Sequence, residues 1–150
     1  MPLESRGIFY YNMVIDTNTM ELRDHQKDII QLMTTQTKGK ILVPTGGGKT
    51  MCMIQDAKWR FTIPVPQTIV VVAPRILLAN QLCSEFLEHI DNVEVLHVHS
   101  GDTHHFKTTK PKTMEKWYHK TVKNILIFTT YHSLHRIQEA QDIEVDTIYF

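Results

Sequence analysis

The chain alternates short, unbroken apolar runs with longer stretches whose apolar residues return every three or four positions. The runs are Ile41 to Val43, "TIVVVA" at 68–73, "VEVLHVH" at 93–99, "NILIFTT" at 124–130 and "VDTIYF" at 145–150. Runs of this length without polar alternation predict strands buried on both faces. Between them, "ELRDHQKDIIQLM" sets Ile29, Ile30 and Met33 at helical spacing, with Asp24 and Asp28 toward the end where the helix dipole favours acids. A helix from about Asp24 to Met33 follows. "KTMCMIQDAKWRF" at 49–61 places Met53, Ile54, Ala57 and Phe61 on one side of a second helix, and "RILLANQLCSEFLEHI" at 75–90 does the same with Leu78, Leu82, Phe86 and Ile90. "YHSLHRIQ" at 131–138 predicts a short fourth helix. Strands alternating with helices predict an α/β domain of three layers, a mainly parallel sheet covered on both faces.

Two stretches stand outside this rhythm. Residues 1–20 read as a variable head before a domain spanning 21–150. Residues 101–123 read as a basic loop with room for a helical turn, where Lys107, Lys110, Lys112, Lys116, Lys120 and Lys123 meet only Asp102 and Glu115.

Composition narrows the picture modestly. An apolar fraction of 42% in 150 residues supports one domain with a real core. Sixteen basic residues balance sixteen acidic ones, so net charge does not select a nucleic-acid or lipid partner. Cys52 and Cys83 lie in apolar periodic segments without C-x-x-C spacing, which predicts reduced thiols and a cytoplasmic protein. The cluster Ile8 to Ile15 lacks a cleavage site and makes a poor signal peptide. No apolar run approaches the roughly 20 residues that span a bilayer, so no membrane partner is expected.

The chemistry is concentrated in "ILVPTGGGKT" at 41–50. A loop between a strand's carboxyl end and a helix's amino end aims backbone N–H groups at one point, and the helix dipole adds positive potential there. Gly46, Gly47 and Gly48 permit close approach to phosphates, Lys49 can reach the β- and γ-phosphates, and the Thr50 hydroxyl can ligate magnesium. The ordinary alternative is a tight turn that merely opens a helix. The pattern differs from G-x-x-x-x-G-K-[ST] at its first position, which holds Val43.

From here the sequence resembles the superfamily-two helicases and translocases, whose loop commonly reads P-T-G-x-G-K-T and dispenses with that first glycine. "LRDHQ" at 22–26 resembles the L-R-x-[HY]-Q segment of the type III restriction-subunit-like branch. The resemblance implies that Gln26 reads the adenine edge, with Arg23 nearby, and that Thr45 joins the ATP loop. "VVVAPRILLANQ" resembles the segment whose strand ends in A-P-[RT] before a nucleic-acid contact, carried here by Pro74 and Arg75. "HSG" at 99–101 and "TTYHSL" at 129–134 resemble further phosphate-backbone contacts, which implies roles for Gly101, Thr129 and Thr130. The implied fold is a RecA-like lobe, the cofactors are ATP and Mg²⁺, and the partner is nucleic acid held through its backbone, with DNA favoured over RNA. Arg75 suits bidentate phosphate recognition, although it could equally form a surface salt bridge, and the two threonines could equally cap a helix.

A hydrolytic phosphate-loop protein also needs a carboxylate for magnesium. The predicted strands close with Ala73, Ser100, Thr129 and Phe150, so no acid is expected at their carboxyl ends. Asp146 begins its strand, about 13 Å from the far end at about 3.3 Å per residue. In the resembled family the strand matching "VDTIYF" leads into a D-E-x-[HD] motif and later a second lobe with an arginine finger. The expectation is therefore the amino-terminal part of the first lobe of a longer motor, which alone has negligible ATPase. Rival readings are a P-loop phosphotransferase and a non-catalytic nucleotide or nucleic-acid-binding module.

Weaker signals remain. "HVHSGDTHH" at 97–105 offers His97, His99, Asp102, His104 and His105 to a metal, but loop histidines are more often solvated, and metal ligation is not expected there. The lysine run, interleaved with Phe106, Trp117 and Tyr118, could contact nucleic acid or form a solvated insertion.

Overall fold

In the computed structural model, residues 9–16, 38–44 and 48–150 are described. Seven strands form one sheet: β1 (Phe9–Asp16), β2 (Lys38–Pro44), β3 (Thr68–Ala73), β4 (Val93–Val98), β5 (Phe106–Lys107), β6 (Asn124–Thr130) and β7 (Thr147–Tyr149). Their order is β2-β1-β7-β3-β6-β4-β5, and every described pairing is parallel. The described helices are α1 (Lys49–Arg60), α2 (Ile76–His89), α3 (Pro111–Lys120) and α4 (Leu134–Glu139). The helix expected at 24–33 lies outside the described residues.

The apolar runs become central strands because both of their faces are covered. β3 is buried along its whole length. Its Ile69, Val71 and Ala73 join a core under α1 and α2 with Ile54, Ala57, Leu82, Phe86 and Phe128. Val70 and Val72 point the other way, into a core with Leu96, Met114, Ile127, Ile137 and Ile148 that is covered by α3 and α4. These are the three layers that the alternation of strands and helices predicts.

Three expectations change. Residues 9–16, read as part of a variable head, form β1, which lies between β2 and β7 and is in register with both. The stretch 101–123 is not mainly loop: Pro111 at the first helical position opens α3. Met114, Trp117 and Tyr118, at three- and four-residue steps, turn one side of that helix to the core, and the intervening lysines hide this stripe in the sequence. On α2 the buried stripe is Ala79, Leu82, Cys83 and Phe86, while Leu78 is exposed.

Candidate nucleotide site at the carboxyl edge

Helix α1 begins directly behind the glycine loop. Gly48 precedes it in the left-handed conformation, φ 73° and ψ 45°, which a residue with a side chain adopts only with strain. Among the described residues no side chain caps this helix, and no acid lies in its first turn. Its leading N–H groups and the positive end of its dipole are therefore left for an anion.

Gly48, Lys49 and Thr50, each half-buried, line a cavity of about 440 Å³ together with Ala73 and Pro74 at the end of β3 and Tyr131 and Phe150 beyond β6 and β7. The cavity thus sits where an open parallel sheet collects ligands, outside the carboxyl ends of its strands. Burial holds the Lys49 ammonium below its usual pKa. No described carboxylate forms an ion pair with it, and an anion in the cavity would relieve this desolvation. Arg23, Gln26, Thr45, Gly46 and Gly47 lie outside the described residues.

The remaining sequence candidates separate. Arg75 is exposed at the N-cap of α2, beside Pro74. Gly101 packs on the first residue of that same helix: a Cβ at Gly101 would lie 2.3 Å from Ile76 Cγ2. The turn after β4 and the start of α2 therefore meet. Asn80 Nδ2 reinforces the junction by donating to the Asp102 carbonyl at 3.0 Å. Thr129 differs. It is fully buried and donates its hydroxyl to the Val98 carbonyl at 2.8 Å, which ties β6 to β4 instead of facing a ligand. Thr130 Oγ1 accepts the Ser133 N–H at 3.3 Å in the turn leading to α4.

The expectation that no acid stands at a strand's carboxyl end also needs correction. Asp16 ends β1 in register with Pro44, the last residue of β2. The sequence reading missed it because the head was not counted as a strand. Glu85 of α2 lines the cavity as well, and nothing in its local sequence marks it. Asp146, by contrast, stays at the opposite edge, where its carboxylate accepts the Thr68 N–H at 2.8 Å.

Behind the site, α1 is fixed by a buried polar cluster. Asp56 Oδ2 accepts from Arg60 Nε at 2.7 Å and from the Tyr149 hydroxyl of β7. Burial foremost, with the Asp56 charge beside it, raises the Tyr149 pKa well above its usual value, so the phenol keeps its proton as a donor. Tyr149 is fully buried.

A RecA-like lobe is what this sheet and its loop define. A model of the family described as "Type III restriction enzyme, res subunit" matches residues 19–149, and the chain belongs to that family. Among solved structures, the chain is similar to a nuclease-deletion mutant of the Type ISP restriction-modification enzyme LlaGI in complex with a DNA substrate mimic. The identity is 17% and the TM-score 0.71 over 87% of this chain. The chain spans 17% of that structure's chain. Among curated proteins, none matches. No described helix is long and apolar enough to cross a membrane.

Proposed function

We propose that the chain is the ATP-binding lobe of an ATP-dependent DNA helicase or translocase. The observation that carries the reading is the uncapped start of α1, with Lys49 and Thr50 opening into the cavity at the sheet's carboxyl edge. The loop amides and Lys49 hold the β- and γ-phosphates, and Thr50 supplies a hydroxyl to magnesium. Arg23 and Gln26 serve the base, and Thr45, Gly46 and Gly47 complete the loop. When bound, magnesium neutralises charge on the phosphates. Pro74, Arg75, Gly101 and Thr130 form the nucleic-acid edge beside this site, a placement supported by the packing of Gly101 on Ile76.

Family membership supports the helicase class, and the DNA substrate mimic in the similar structure supports DNA as the partner. Hydrolysis requires more than the groups of this lobe. The chain alone has negligible ATPase, because phosphoryl transfer depends on a complete electrostatic frame around the phosphates. Lys49→Ala should weaken ATP binding at least tenfold, measured by calorimetry on the whole chain, while leaving the melting temperature near that of the parent. Unchanged ATP affinity in that variant removes the loop from the function.

A further inference from the structure

A second cavity, of about 290 Å³, lies away from the nucleotide site between α2 and the turn after β4. Cys83 from α2, His97 from β4 and His105 from the loop before β5 converge on it, with one ligand atom from each within 4.8 Å of the others. Cys83 Sγ is 3.8 Å from His105 Nδ1. His97 is fully buried, and its Nε2 has no hydrogen-bond partner. Such an atom costs free energy when left unsatisfied, so it calls for something to fill the cavity.

We propose that Cys83, His97 and His105 form a zinc site that clamps the turn after β4 onto helix α2. One thiolate and two imidazoles form a set suited to a borderline-soft divalent ion. Bond lengths of about 2.3 Å to sulfur and about 2.0 Å to nitrogen put tetrahedral ligands roughly 3.3–3.6 Å apart. The three ligand atoms lie within 4.8 Å of one another, so binding draws them inward by about an ångström. Asp102 and His104, which also line the cavity, can supply the fourth position, or water can.

The protons balance as follows. The metal replaces the Cys83 thiol proton, which leaves to solvent. Gly101 N–H donates to His99 Nδ1 at 3.1 Å, so neutral His99 carries its proton on Nε2, facing His97 Nδ1 at 3.1 Å. The proton of metal-free His97 then sits on the unpartnered Nε2. Ligation there moves it to Nδ1, which donates to His99 Nε2. The His99 proton shifts in turn to Nδ1, and the Gly101 amide loses its acceptor. His99, paired with His97 in the sequence as a candidate ligand, thus becomes the group that supports the ligand. Cys83 escaped the sequence reading because it lies on a different element.

Cobalt(II) titrated into the whole chain tests the site. The expected result is one equivalent bound, with tetrahedral visible bands and a thiolate-to-cobalt charge-transfer band, both displaced by zinc. Cys83→Ser should abolish the charge-transfer band and Cys52→Ser should retain it. His105→Ala, at an exposed position that folding tolerates, should weaken zinc binding at least tenfold. Zinc should also shift the Gly101 amide resonance. Failure of the parent chain to bind cobalt(II), binding without a thiolate band, or zinc affinity unchanged in His105→Ala overturns the proposal.

Discussion

The two faces of the sheet are built differently. The face under α1 and α2 carries ionisable groups inside its core: Asp56, Arg60 and Tyr149 in one cluster, Cys83 and His97 in another. The face under α3 and α4 is apolar, with Ile127, Leu96, Ile137 and Ile148 at its centre. Within it Thr129 bonds the Val98 carbonyl, and toward its rim Glu115 accepts the Asp142 N–H at 3.1 Å and pairs with Lys112 at 3.4 Å. Apolar packing is non-directional, whereas hydrogen bonds fix one geometry. The first face includes α1, the helix that starts at Lys49. Its cluster bonds that helix to β7, so the placement of α1 depends on polar groups some distance from its start.

The largest expected effect breaks this difference directly. Asp56→Ala removes the acceptor shared by Arg60 and Tyr149 and should cost about 3–5 kcal/mol in urea unfolding. Ile127→Val, at the centre of the opposite face, should cost only about 0.5–1.5 kcal/mol. Equal costs for the two variants would mean that the polar cluster adds nothing beyond ordinary packing.

A smaller effect probes the junction where the first face meets the turn after β4. Gly101→Ala brings a Cβ to 2.3 Å from Ile76 Cγ2. That methyl branches from a β-carbon whose rotamer is stiff in a helix, so the backbone must yield, at about 1–3 kcal/mol. Truncating the neighbour relieves the clash. The double variant Gly101→Ala with Ile76→Ala should therefore lose less stability than the two single losses added together. Strict additivity would show that the contact does not govern the turn.

The same contrast explains what could be read from the sequence. β3 and β6 were legible because continuous apolar runs have one good solution, burial on both faces. The succession of β2 and α1 was legible because the two adjoin in the chain. α3 was obscured because its lysines dilute an apolar stripe that only the helical period reveals. Asp56 and Tyr149 are 93 residues apart, and no local pattern pairs them. Cys83 and His97 likewise meet only after α2 packs on the sheet. Asp16 was passed over because its strand lies in a segment read as a head.

The smallest effect lies at the rim of the apolar face, where His119 Nε2 meets Asp142 Oδ2 at 3.0 Å on the surface. The His119 hydrogen bond, foremost among its surroundings, holds the Asp142 carboxyl below its ordinary value of 3.8. A carboxylate whose pKa falls on folding stabilises the native state above its unfolded pKa, and this contribution is lost as pH drops through the folded pKa. Both groups are exposed, so salt screens the pair and its contribution is slight. Asp142→Asn should therefore lower the melting temperature a little at neutral pH and low salt. The gap from the parent should close in acid and shrink in molar salt, whereas the loss in Asp56→Ala, shielded inside the core, should persist in that salt. A gap for Asp142→Asn that widens in acid or resists salt would place this pair with the buried cluster of the other face and erase the distinction between them.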